Sequence, residues 1–162
     1  MFEINAVFKY GASGIYRLRE IKQANVTGET KEYYVLQSVS CATTSTMIPA
    51  DNPVLTDKMY PILTEEQALA LLDRVPTLQT EWIINDKDRA ATFKTWMESD
   101  DRAQIFAMVK AIRAHRKEFS EKGKKLRSAD EITLNRAEKL LFEEIHTATG
   151  ITPDAFYALL VL

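Results

Sequence analysis

The 162-residue chain has one cysteine, two histidines and five glycines. Each scarcity removes a class of chemistry. A lone Cys41 forms no internal disulfide and fits a reducing compartment such as the cytoplasm. It also lacks partners at metal-ligand spacing, and His115 and His146 are too few to supply them. No glycine-rich loop suited to cradling phosphate is present. No apolar run approaches the ~18–20 residues that a membrane span needs. The opening "MFEINAVFKY" carries Glu3 and no long apolar stretch, unlike a secretory leader. The chain is therefore expected to be a non-enzymatic, cytoplasmic protein with no metal and no cofactor. His115 is expected to be solvated on a basic helix and His146 to suit a helix C-terminus. Glu143 and Glu144 read as a solvated helix face.

What is present is a globular composition, 46% hydrophobic and 27% charged. The net charge of −2 hides an asymmetry. Residues 1–60 are neutral, 61–109 carry −4, 110–127 carry +6 and 128–162 carry −4. All the surplus positive charge therefore sits in "KAIRAHRKEFSEKGKKLR", a local electrostatic footprint.

The two halves of the chain also differ in pattern. Up to residue 50, "EINAVFKY", "GIYRLREI", "KEYYVLQSV" and "TTSTMI" are short and rich in β-branched and aromatic residues, with turn signals at 10–14 and 25–31. In "GIYRLREI", alternation puts Ile15, Arg17, Arg19 and Ile21 on one face. Four or five such strands predict a small curled barrel or SH3-like sheet. "PADNPVLTDKMYP", with three prolines, reads as a connector. Helix signals follow. Thr64 and Gln67 form a capping box, and Asn85 or Asp86 starts a helix over 86–98 with Phe93 and Met97 on one face. Ile105, Met108, Val109 and Ile112 stripe a long helix over about 101–121. Ser128 and Glu131 cap the next, over 129–148, lined by Leu134, Ala137, Leu141 and Ile145 and ended by Gly150. Thr152 and Pro153 start a short last helix. The expected fold is α+β in two domains: a β module over 1–52, a linker over 53–63 and a helical module over 64–162.

On the long helix Lys110, Arg113 and Lys117 recur at helical spacing, and Lys122, Lys124, Lys125 and Arg127 continue into the loop. Such a stripe is either a phosphate-gripping face or a solvated one. Trp96, three residues after Phe93, reads as core. Trp82 lies outside any strong period, in "TEWIINDKDR". It either anchors that turn or faces a partner, as apolar wedges do in distorted DNA.

Several segments, in order, resemble the CarD/CdnL family of bacterial transcription regulators: "FEINAVFKYGASGIYRLREI", "GETKEYYVL", "MIPADN", "YPILTEEQA", "EW…DKDR", "FKTWMESDD" and "EKGKKLRSADEITLNRAEKLLFEEI". The likeness spans nearly the whole chain. It implies a Tudor-like N-terminal domain that docks on the RNA polymerase β subunit by extending a sheet edge. The first module also resembles the polymerase-interacting module of transcription-repair coupling factors. The likeness further implies a helical domain that contacts promoter DNA at the upstream edge of the bubble. The tryptophan that wedges into the minor groove is then Trp82, with Lys87 and Arg89 facing phosphates, and Lys110, Lys124, Lys125 and Arg136 at matching basic positions. The polymerase-facing positions are Ala24, Asn25, Thr46 and Met47. The chain departs from the family at Asn5-Ala6, where Asn can adopt a left-handed conformation. It departs again at Ala24 and Met47, where arginine is common, and at Tyr60, where a basic residue is usual. The rival reading is an adaptor whose β module binds a partner strand and whose helices bind protein, without DNA contact.

Overall fold

The computed structural model describes residues 2–161 and is α+β. It divides into two compact units, Met1–Ile62 and Leu63–Leu162.

The first unit is a five-stranded antiparallel sheet in the order β4-β3-β2-β1-β5. The strands are β1 (Val7–Tyr10), β2 (Gly14–Asn25), β3 (Thr30–Ser38), β4 (Ser45–Pro49) and β5 (Met59–Pro61). Phe8, Leu18, Tyr34, Leu36, Ile48 and Met59 form its core, and Phe2 packs edge-on against Phe8 and Tyr34. The alternation that puts Ile15, Arg17, Arg19 and Ile21 on one face breaks at a bulge. Leu18 pairs with Leu36 and Glu20 with Val35, which leaves Arg19 as the extra residue. One added residue inverts the facing of everything after it. Ile21, opposite Tyr34, therefore joins the face of Leu18 rather than that of Ile15.

Asn5 takes φ 73°, the left-handed conformation that its short polar side chain tolerates. Its N–H donates to the Leu18 carbonyl. The segment read as a connector holds structure of its own. Asn52 caps a short helix α1 (Pro53–Thr56), and β5 then pairs with β1, Tyr60 opposite Lys9. A three-residue strand has too short a pattern to be seen without its partner. Lys9 is fully buried, its ammonium donating to the Gly11 carbonyl and lying over the Tyr60 ring.

The second unit is helical, with α2 (Glu65–Arg74), α3 (Asp86–Glu98), α4 (Arg102–Glu121), α5 (Ser128–Thr149) and α6 (Pro153–Ala158). Helix α5 touches α2, α3 and α4. The local signals hold in most places. The Thr64–Gln67 capping box is closed in both directions, Asn85 caps α3, and Gly150 ends α5 at φ 73°. Thr152 caps α6. The expected stripes on α3, α4 and α5 are all buried, whereas Trp96 is only half-buried, tilted against Phe93.

Two expectations are corrected. Ser128 does not cap α5: the cap residue is Arg127, and Glu131 turns to Arg116 instead of back to the helix start. The pair Glu143–Glu144 is not a solvated face. Glu144 is 1% exposed, accepts from Nε and Nη2 of Arg102, and also takes the Leu63 N–H. A buried carboxylate persists only with such partners. No described helix is long and apolar enough to cross a membrane.

Candidate nucleic-acid interface

Helix α3 begins where Asn85 accepts the Asp88 N–H, which places Arg89 in the first turn, pointing inward. Arg89 is 2% exposed. Its Nε and Nη2 donate to the two carboxylate oxygens of Asp130 at 3.0 and 2.8 Å. Nη1 donates to the carbonyls of Ile83 and Ile84 at 2.9 and 3.3 Å, and Nη2 also reaches Asp86. The Asp130 carboxylate raises the pKa of Arg89, and the Arg89 hydrogen bond lowers that of Asp86. This forked geometry suits arginine rather than lysine. Arg89 is therefore not the phosphate contact expected of it: its donors are consumed inside the protein.

Trp82 is half-buried in the same cluster. Its ring stacks on His115 at 3.9 Å and 12°, meets Phe93 edge-on at 6.1 Å, and lies 4.5 Å from the Arg89 guanidinium. His115 continues onto Phe119 at 4.2 Å. His115 is therefore not simply solvated, and burial holds its pKa below the usual value. Trp82 anchors its turn; it is not a free side chain.

The basic segment is largely neutralised within the fold. Arg113 pairs with Glu138, Arg116 with Glu131, Lys122 with Glu118 and Arg127 with Asp86. Lys110 is half-buried and donates to the carbonyls of Val75, Pro76 and Leu78, fastening the turn after α2. Lys110 and Arg113 thus leave the expected phosphate stripe, because each has a nearer anionic or carbonyl partner. Lys117, Lys124 and Lys125 are exposed and form no ion pair among the described residues, as do Lys87 and Arg136. Lys124 and Lys125 line a shallow groove with Arg116, Ser120, Leu126 and Ile132, between the end of α4 and the start of α5. Arg127, two residues on, joins this rim to the turn before α3 through Asp86 at 2.8 Å. Ile84, in that turn, is 87% exposed.

In the sheet unit Thr46 and Met47 lie on β4, at one edge of the sheet, half-buried and exposed respectively. Ala24 and Asn25 lie at the far end of β2, and the Asn25 side chain accepts the Gly28 N–H in the hairpin turn. Strand β3 separates the two pairs, which are also staggered along it: Ala24 faces Lys31, while Met47 faces Val35. No group of three or more metal-ligating side chains is assembled among the described residues.

Sequence reasoning missed the two buried arginines, Arg89 and Arg102. Both carried a signal. Arg89 shares a face with Phe93 and Met97, and Arg102 with Ile105 and Val109, at helical spacing. Compared with known proteins, the chain matches no family model and no curated protein.

Proposed function

We propose that the chain is a transcription regulator that binds the RNA polymerase β subunit and stabilises the open promoter complex. In this reading the sheet unit is a Tudor-like module, and edge strand β4 pairs with a strand of the polymerase. The helical unit lies on promoter DNA at the upstream edge of the bubble. The observation that carries the DNA contact is the exposed, unpaired pair Lys124 and Lys125, linked through Arg127 and Asp86 to the exposed apolar turn at Ile84, with Lys117 exposed elsewhere on α4. The ordered resemblance supplies the partner. Lys87 and Arg136 add exposed charge. The location implied is cytoplasmic, at the nucleoid.

The mechanism needs no base reading. A protein that binds the open complex better than the closed one shifts that equilibrium by its differential affinity. Roughly 1–2 kcal/mol of preference changes the ratio about 5–30-fold. An adaptor without DNA contact is the second reading. It is favoured by the internal pairing of Arg113, Arg116, Lys122 and Arg127, which leaves few free cations.

Salt dependence separates the two. If Lys117, Lys124 and Lys125 each meet a phosphate, affinity for a bubble-containing promoter fragment falls with salt at a slope of about −2.7, or roughly 40-fold from 50 to 200 mM. Charge reversal, Lys124→Glu with Lys125→Glu, reduces the slope to about −0.9. An unchanged slope in that variant sinks the assigned patch, and no binding to DNA by the parent chain moves the adaptor ahead.

A further inference from the structure

We infer that Ile84, rather than Trp82, is the side chain this protein inserts at a distorted DNA step, with Trp82 and Arg89 as the residues that position it. The inference rests on the DNA-contacting reading above and names the inserting group within it. An inserted wedge must be free of the protein and held on rigid backbone. Trp82 fails the first condition: insertion would cost it the His115 stack, the Phe93 edge contact and the Arg89 cation–π contact. Ile84 has no such contacts to lose. At 87% it is the most exposed large apolar side chain among the described residues.

Single exposed isoleucines are ordinary, so the argument turns on how this one is held. Arg89, itself fixed by Asp130, clamps the carbonyls of Ile83 and Ile84. Asn85, the next residue, caps α3. Asp86 then ties the turn to Arg127 at the end of the lysine loop. A buried arginine thus fixes the backbone of a turn whose tip is an apolar side chain. Isoleucine belongs to the set of apolar residues that wedge between base pairs from the minor groove.

The charges around the turn assign the roles. Glu81, Asp86, Asp88 and Asp130 outnumber Lys87, Arg89 and Arg127 by one, so the turn itself offers no net positive charge. Its contribution to DNA contact is apolar, and the ionic attraction comes from Lys124 and Lys125. Insertion and phosphate attraction are therefore separable by mutation.

The test uses two promoter fragments of one sequence, one fully paired and one with an unpaired bubble, each with 2-aminopurine at the junction. The wild-type chain is expected to prefer the bubble fragment about tenfold and to change the 2-aminopurine fluorescence. Ile84→Ala is expected to lose both while keeping the parent salt slope, and Ile84→Leu to keep both. Because Ile84 makes no packing contact that folding needs, the variants fold as the parent does. Full preference and full fluorescence change in Ile84→Ala overturn the inference while leaving the lysine patch intact. A parent chain that binds neither fragment overturns the DNA reading, and the inference with it.

Discussion

Replacing Arg89 by leucine removes the guanidinium that pairs with Asp130 in the interior of the helical unit. Asp130 is 6% exposed and accepts from Arg89 through both oxygens. Breaking such a pair by deleting one partner costs about 3–5 kcal/mol, because the surviving charge stays buried. The carbonyls of Ile83 and Ile84 lose a donor as well. Domains of this size have about 5–15 kcal/mol of stability in total, so Arg89→Leu leaves a narrow margin. With a urea m-value of about 1.5–2 kcal/mol per molar, the midpoint falls by roughly 2 M. The double variant, Arg89→Leu with Asp130→Leu, leaves no orphan charge. It is expected to recover all but about 1–2 kcal/mol, the residue coming from the lost acid in the first turn of α5. The assay is urea unfolding of the full chain, followed by helical circular dichroism. A single-variant cost below about 1 kcal/mol, or a double variant no more stable than the single, refutes the reasoning.

Burial holds the His115 pKa below its ordinary 6.5, so the unfolded chain takes up its proton first as pH falls. This contribution to stability is present above 6.5 and is lost as pH falls from there through the lower folded value. Thermal stability, and the fluorescence of Trp82 stacked on His115, are expected to drop together in that window, and His115→Phe to flatten both; a fluorescence transition above 6.5 contradicts the stacked, buried histidine. Hydrogen bonding, first of all from the Thr43 side chain, lowers the Cys41 thiol to about 7. Alkylation of Cys41 is expected to rise with pH to half-maximum near 7, and Thr43→Val to shift that point upward; an unshifted profile refutes the assignment. Gly150 holds φ 73° with open space around it, so Gly150→Ala is expected to cost about 1 kcal/mol through backbone strain alone, measured by urea unfolding.

Much of this was readable locally. The Thr64–Gln67 box, the Asn85 and Thr152 caps, the Gly150 stop and the apolar stripes of α4 and α5 need only neighbours within a turn or two. The sheet unit gave up less. The Arg19 bulge inverts half of β2 with no local signal, and β5 exists only because β1 accepts it. The candidate interface was harder still. Lys87 and Arg89 lie two residues apart in one charged run, yet one is exposed and the other buried. What separates them is a carboxylate on another helix, Asp130, distant in sequence. The same holds for Arg113 with Glu138 and Arg102 with Glu144. A charged residue falling on an apolar stripe was the available clue, because only a paired charge is tolerated there.

Promoter opening is the step on which the proposed function rests. The direct measurement is the lifetime of open complexes formed by the cognate RNA polymerase, challenged with competitor DNA, with and without this protein. The lifetime is expected to be about 5–30-fold longer with the wild-type chain, and shorter with Ile84→Ala or with Lys124→Glu plus Lys125→Glu. A lifetime unchanged by the wild-type protein, at concentrations that saturate the polymerase, contradicts the proposed function.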